Sequence, residues 1–545
     1  MAIDSLRAPE AAPSAVRVGT RAPRGGLDRF VTLGESRWGV VAAVAALTIV
    51  SAVLRVGALH FHYWIDEGIS VGIAGHPLAH LPSLLREDGS PPLYYLLLHV
   101  WMRLWGRGEV ATHALSLIFA LLAVPAAYWG AASLFDRRTG IYCTVLAAGV
   151  PFLTAYAQET RMYSLLLLLS LIVSASFVHV FVLRRRRYLP VFALSLSAAL
   201  YTHNWALFLG VAAFAAFLVC VRAATVDRRG LWRDGAIGFG AVAVLYLPWL
   251  PTLLYQAKHT GAPWSLAPTL WSLTQGLYFL VGGRGAAVAL LLAAGAGLLA
   301  LRTTSNDTSS NTSSSRDMSR ARMAAVSLIV LGFGTLIVAW LEAKVTAAWA
   351  PRYLAVVVGP MILLVGLGLA RSARLGLAAL ALVCCFWVLD PLPTSLESKS
   401  NVASAARVVR AQTGSDALVL STQPEQVPTL AYYLPQVTHF GTPLGPVPDP
   451  RVVDWRNALS RLRRSSIRSV LAPMIASLSP GERVALVIPT QIPDAPAWLK
   501  LIRRSSKTWT RYLEHDHRLK LLRVTSPHAN SSGLPVRISL YVKRF

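Results

Sequence analysis

Trp38-Gly-Val-Val-Ala-Ala-Val-Ala-Ala-Leu-Thr-Ile-Val-Ser-Ala-Val-Leu-Arg-Val-Gly-Ala-Leu59 is an apolar run broken by one charge, Arg55. As a helix rising about 1.5 Å per residue it crosses roughly 30 Å of hydrocarbon. It is too long for a cleaved signal segment and reads as an anchor that stays. Upstream, residues 1–37 are rich in Ala, Pro, Gly and Arg (Arg17, Arg21, Arg24, Arg29, Arg37) without a sustained apolar period, which predicts a disordered basic tail.

Ten further apolar runs follow, at about 113–135, 140–157, 162–183, 188–202, 204–222, 235–255, 285–302, 323–342, 352–370 and 374–391. The chain therefore reads as a polytopic α-helical membrane protein with about eleven to thirteen spans. Composition agrees: 54% of the 545 residues are hydrophobic and 14% charged, against about 25% charged in soluble domains. A soluble enzyme is excluded. The net charge of +26 would fit nucleic acid, but at a mean hydropathy of +0.50 those cations belong beside a bilayer, and no nucleic-acid partner is expected. Cys143, Cys220, Cys384 and Cys385 all fall inside apolar runs and read as packing residues, not as a disulfide or zinc framework.

Short basic loops set the orientation: Arg137-Arg138, Arg184 to Arg187, Arg222 with Arg228, Arg229 and Arg233, Arg302 with Arg316, Arg320 and Arg322, and Arg371 with Arg374. Placed inside together, they put the N-terminus in the cytoplasm of a plasma (inner) membrane multi-pass protein and residues 392–545 outside. That parity requires Pro91 to Gly106 to lie at the outer interface or only part-inserted. Thr303 to Ser315 reads as a flexible cytoplasmic linker. Beyond Asp390 the strand-like runs Asp416 to Ser421, Arg483 to Ile488, Leu519 to Val524 and Val536 to Val542, with a basic amphipathic stretch from Asp454 to Ile475, predict an extracytoplasmic α/β domain at 392–545. The transmembrane domain is then 38–391.

The outward loops hold the chemistry. His60-Phe-His-Tyr-Trp-Ile-Asp66-Glu67-Gly68 is followed by Arg86-Glu87-Asp88-Gly-Ser-Pro91-Pro92-Leu-Tyr94-Tyr95. Acids beside hydrocarbon are costly unless solvated, paired or bound to a cation. They read either as solvated loop residues or as a site, and a carboxylate in a water-poor cavity can take a proton from an attacking hydroxyl. Tyr156-Ala-Gln158-Glu159-Thr-Arg161-Met-Tyr163 supplies an interfacial ion pair or a second part of that site. Lys344 and Trp349-Ala-Pro351-Arg352-Tyr353 supply either snorkelling cations or a grip on a lipid phosphate. His203, in Tyr201-Thr-His203-Asn204-Trp205, is a structural turn residue or a neutral donor.

Trp64-Ile-Asp66-Glu67, Asp88-Gly-Ser-Pro91-Pro92-Leu-Tyr94-Tyr95, Gln158-Glu159-Thr-Arg161-Met-Tyr163 and Pro351-Arg352-Tyr353, in that order, resemble the GT-C class of membrane glycosyltransferases. The resemblance is to the protein O-mannosyltransferase-like group that includes lipid A aminoarabinose transferases, and it covers about 38–391. It implies transfer of a hexose or pentose from a polyprenyl-phosphate donor to a glycolipid, glycan or protein acceptor at the outer face, among membrane lipids, with inversion. It implies Asp66 as general base supported by Glu67, and Asp88 as an acceptor contact. Tyr94, Glu159, Arg161, His203, Lys344, Arg352 and Tyr353 are the other substrate contacts, with Arg161 and Arg352 on the donor phosphate. No cofactor is certain; a divalent metal ion is left open, with Asp88 its contact. The C-terminal α/β region matches nothing that names an acceptor.

The competing reading is a transporter or lipid flippase. It calls for charges in mid-span and inverted halves with broken helices, whereas here the acids sit at helix ends and no two-fold repeat is evident.

Overall fold

The computed structural model describes residues 37–303, 312–389, 400–492, 496–525 and 535–545. The tail at 1–36, most of the Thr303 to Ser315 tract and the junction at 390–399 lie outside the described residues. A helix, Thr312–Ile329, already begins inside that tract, so its last residues are helical where a linker was expected.

Among the described residues eight helices are long and apolar enough to cross a membrane: Arg37–Val56, Glu109–Leu134, Tyr163–Val182, Ala206–Ala223, Arg228–His259, Arg284–Leu301, Met318–Thr346 and Pro351–Arg371. Three expected spans are shorter. The run at 140–157 is two helices, Arg137–Gly149 and Pro151–Tyr156, because Pro151 has no N–H to continue the ladder. The runs at 188–202 and 374–391 are Leu189–Leu200 and Ala373–Leu389. Leu270–Val281 forms a helix where no span was expected. Leu93–Trp105 has 13 residues, roughly 20 Å at 1.5 Å per residue, too short to cross.

Tyr163–Val182 and Pro351–Arg371 are apolar all round and buried on nearly all sides, which makes them the centre of the bundle. Small residues admit their neighbours: a Cβ on Gly359 would enter the Ser170–Leu171 backbone, and one on Gly366 would strike Cys143. At one end of the bundle the basic loops are tied together. Arg186 Nε lies 2.7 Å and Arg184 Nη1 3.3 Å from the buried Asp234 carboxylate, and Arg371 lies 3.3 Å from Asp136.

At the other end sits a six-stranded sheet ordered β3-β2-β1-β4-β6-β5, from β1 (Leu418–Ser421), β2 (His439–Thr442), β3 (Gly445–Val447), β4 (Arg483–Pro489), β5 (Leu519–Thr525) and β6 (Val536–Lys543). β1 runs parallel to β2 and β4; the remaining pairs are antiparallel. The strands expected from alternation are β1, β4, β5 and β6. The Asp454 to Ile475 stretch is helical at Ala458–Arg464 and from Ile467 to Ala476. Two apolar cores flank the sheet, one around Val419, Leu430 and Ile538 and one around Leu420, Leu486 and Trp509. Trp455, Leu462, Trp498 and Ile502 instead join the core of the helical bundle, so the two regions share packing.

Candidate active site

The short helix Ile65–Ala74 leaves the loop after the first span, and its first turn carries Asp66 and Glu67. Acids are favoured there because the unpaired N–H groups of the first turn carry partial positive charge. Glu67 closes the helix start: the Trp64 N–H donates to its Oε2 at 3.3 Å. The rest of the Glu67 carboxylate faces inward. Oε1 lies 2.6 Å from His113 Nε2 and accepts the Thr160 N–H at 2.8 Å, and the side chain is fully buried. His113 Nδ1 faces the Leu59 carbonyl at 2.7 Å and must carry a hydrogen; a further proton then lies between Nε2 and Glu67, since a short contact to a carboxylate oxygen needs one. Glu67 and His113 form a hydrogen-bonded pair that locks three segments together.

Asp66 points the other way. Its Oδ2 lies 3.4 Å from Arg352 Nη2 and 4.0 Å from Arg161 Nε. Arg161 Nη1 also donates to Ser70 Oγ at 3.0 Å and to the Asp66 carbonyl at 3.3 Å, which fixes it against the helix. The Arg352 guanidinium sits over Trp264, 4.9 Å from the ring centroid, with Trp64 and Tyr353 at 5.6 Å. Aromatic faces stabilise a desolvated cation while leaving its N–H edge free for an anion.

Asp66, Asp88, Arg161, His203, Arg352 and Tyr353 all line one cavity of about 400 Å³. Asp88 ends the helix Leu81–Asp88, and the chain turns at once through Gly89, whose φ of +94° a side chain disfavours. Burial raises the Asp88 carboxyl above the ordinary range, opposed by Ser90 and by the Arg161 charge. His203 is pushed down to about 3, first by burial and then by Arg161 and Arg352. It is neutral, and because the Trp205 N–H donates to its Nδ1 at 3.1 Å, its hydrogen sits on Nε2.

Four expected site residues, the catalytic support Glu67 and the substrate contacts Tyr94, Glu159 and Lys344, do not line the cavity. Glu67 is spent on His113 and Thr160. Tyr94 is fully buried with its hydroxyl 3.0 Å from Ser116 in the helix core; Tyr95, one residue on, is the tyrosine beside Asp88. Glu159 is buried beside Tyr156, where the chain folds back before the Tyr163 helix. Lys344 is exposed and stacks on Trp340 at 4.7 Å, held by its own helix face. Trp264, Gln256 and Trp455 also line the cavity and belong to no motif in the sequence; only the rule that aromatic residues gather at an outer boundary singles out Trp264. Among the described residues no three His, Cys, Asp or Glu side chains are grouped to hold a metal ion. Of the carboxylates facing the cavity, Asp66 already has Arg161 and Arg352 as counterions.

Trp455 comes from the C-terminal region. Its N–H donates to the Glu87 carbonyl at 3.1 Å and the next-but-one residue, Asn457, donates to the His259 carbonyl at 2.7 Å, so this strap closes one wall of the cavity. The same region clamps the Asp66 helix: Tyr433 Oη accepts the Tyr63 N–H at 2.8 Å, Thr429 Oγ1 donates to the Trp64 carbonyl at 3.3 Å, and His76 lies 2.6 Å from Asp449.

Residues 89–249 match a family described as dolichyl-phosphate-mannose-protein mannosyltransferase. The fold is similar to that of ArnT from Cupriavidus metallidurans in the apo state, with TM-score 0.55 and 12% identity over 94% of this chain and 98% of that one. The ArnT structure bound to undecaprenyl phosphate gives TM-score 0.54 and 13% identity over 92% and 97%. The Archaeoglobus fulgidus oligosaccharyltransferase in the apo form gives TM-score 0.54 and 10% identity over 83% and 70%. No curated protein matches in sequence. These structures show the fold of the chain, and the match to the mannosyltransferase family is confined to residues 89–249.

Proposed function

We propose that this GT-C-fold membrane protein is a glycosyltransferase that moves a sugar from a polyprenyl-phosphate donor to an acceptor at the outer face of the plasma membrane. The observation that carries the reading is the Asp66, Arg161 and Arg352 cluster on one cavity wall. The solved ArnT neighbour with undecaprenyl phosphate bound supports the donor class. The alternative, a transporter or flippase, has no comparable support.

Arg161 and Arg352 bind the donor phosphate. A phosphate that enters takes both guanidiniums from Asp66, since it offers more anionic oxygens in a matching bidentate geometry. The phosphate gains its counterions and Asp66 loses them in one event. Asp66, free of its ion pairs, accepts the proton of the acceptor hydroxyl as that oxygen attacks the anomeric carbon. The bond from sugar to phosphate breaks, and charge grows on the departing phosphate where the two arginines already stand. Direct attack inverts the anomeric centre. Asp88, with its raised carboxyl, and His203, with its Nε2 hydrogen, contact sugar or acceptor hydroxyls. Tyr353 orders the wall through rings at 4.8 Å from His203 and 5.2 Å from Trp205.

The test is transfer in proteoliposomes supplied with polyprenyl-phosphate sugars. Asp66→Asn should abolish it; near wild-type transfer by a folded Asp66→Asn protein removes the base assignment. Orientation is tested with a membrane-impermeant thiol reagent in intact cells: Ser415→Cys should label and Arg187→Cys should not.

A further inference from the structure

Away from the active cavity, a groove of about 700 Å³ opens beside the end of β4, between the helix Ala497–His515 and β6. We infer that this groove binds a linear anionic glycan, through Lys507 and Arg511 on the helix and Arg537 on β6.

Arg503, Lys507 and Arg511 recur every fourth residue, which puts them on one helix face about 6 Å apart along the axis. Arg537 faces them from the neighbouring strand, and among the described residues no acid lines the groove. Among the described residues no carboxylate pairs with Lys507, Arg511 or Arg537. The hydroxyls of Thr490, Ser506 and Thr510 lie between the cations. Among the described residues Thr510 Oγ1 and Arg537 Nε, buried at the groove, have no hydrogen-bond partner. Buried polar atoms left without partners are costly, and a ligand with acceptors and hydroxyls satisfies both.

Two helix cations about 6 Å apart along the axis, faced by Arg537 across the groove, suit repeated anions better than one phosphate. The concave shape and the hydroxyl lining favour a glycan over a bilayer surface, which exposed cations on a convex face with aromatic neighbours would meet better. The groove lies in the region whose strap, Trp455 to Asn457, walls the active cavity. A glycan held there is presented as acceptor or product; that consequence rests on the transferase reading, whereas the binding does not.

The experiment uses the full chain in nanodiscs of zwitterionic lipid and a heparin-derived tetrasaccharide as probe, read by calorimetry at low salt. Binding should weaken about tenfold or more, roughly 1.4 kcal/mol per decade, in the triple variant Lys507→Gln, Arg511→Gln and Arg537→Gln. Removing three exposed cations elsewhere in the region, by Arg463→Gln, Arg464→Gln and Arg468→Gln, should leave it within about twofold. Equal weakening by both triples, or no tetrasaccharide binding with groove-dependent capture by phosphatidylglycerol vesicles, overturns the proposal. Asp66→Asn should bind the probe as the wild type does, which separates failure of the groove from failure of the transferase reading.

Discussion

Asp66 and Arg352, far apart in the chain, meet with Oδ2 3.4 Å from Nη2, and Arg161 stands on the other side of the same carboxylate at 4.0 Å. In the proposed mechanism a base and a phosphate site thus share one set of charges. Asp66→Asn removes the base and the counterion together. Transfer should fall on the order of 10²- to 10⁴-fold, the range for a lost general base. The affinity for free polyprenyl phosphate should rise, because the arginines no longer have a partner to release. Equal loss of both, by transfer assay and lipid-phosphate titration, would show that Asp66 orients the arginines and does no proton transfer.

Arg352→Ala should raise the Kd for polyprenyl phosphate by about tenfold or more, since a truncated partner of a buried charge pair typically costs 2 kcal/mol or above. Arg352→Lys should recover only part of it. An ammonium keeps the charge but loses the planar fork and the stacking on Trp264.

Much of the fold was legible because hydrocarbon imposes a length on apolar runs, and because strands such as β4 and β6 carry their burial in sequence. What escaped was set by tertiary partners. Asp66 and Glu67 are adjacent and alike in sequence, yet one faces the cavity and the other His113, because one helical residue rotates the side chain by about 100°. Tyr94 and Tyr95 divide in the same way. Trp455 reaches the cavity because the C-terminal region folds back onto the first loop, and Gln256 because its helix packs on that loop, where its Nε2 donates to the Leu85 carbonyl at 2.8 Å; local pattern shows neither. β2 (His-Phe-Gly-Thr) and β3 (Gly-Pro-Val) are short and carry glycine or proline instead of an apolar alternation, so neither stands out.

His203 is held neutral, at about 3, by burial and two arginines. The pH profile of transfer between about pH 5 and 8 should carry no limb that His203→Gln removes. Gln supplies a neutral N–H donor and should keep more activity than His203→Ala. A limb near the ordinary histidine value of about 6.5 that vanishes in His203→Gln would mean that the ring titrates in the working enzyme.

Burial raises the Asp88 carboxyl above its unfolded value. The folded protein therefore holds the Asp88 proton more tightly than the unfolded chain, and stability falls as pH rises from the unfolded value, about 3.9, through the raised folded one. Asp88→Asn removes that cost. Its thermal midpoint in detergent should exceed the wild type at pH 7, and the gap should close on acidification toward about pH 4. A midpoint lower than wild type at pH 7 would mean that the ionised Asp88 is stabilised by partners that outweigh its burial.

Gly68 and Gly72 lie one helical turn apart on the Asp66 helix, on the face that receives the C-terminal region. A Cβ on Gly68 would enter Thr429, and one on Gly72 would enter the Arg451 carbonyl, backbone that cannot swing aside. The small residues let this helix and the C-terminal segments touch directly, so the position of Asp66 depends on a surface contributed from more than 350 residues away, as in the pair Trp64 and Thr429. Gly72→Ala should therefore loosen the C-terminal region, seen as faster proteolysis between 440 and 460, and should lower transfer although no cavity residue changes. Gly57→Ala, where a Cβ meets nothing within 4 Å, is the control for a glycine replaced without a clash. If Gly72→Ala resists protease as well as Gly57→Ala does and keeps full transfer, the clamp does not position Asp66. If it is cleaved faster and still transfers at the wild-type rate, the bundle alone holds the base, with Glu67 and His113 sufficient to fix the helix.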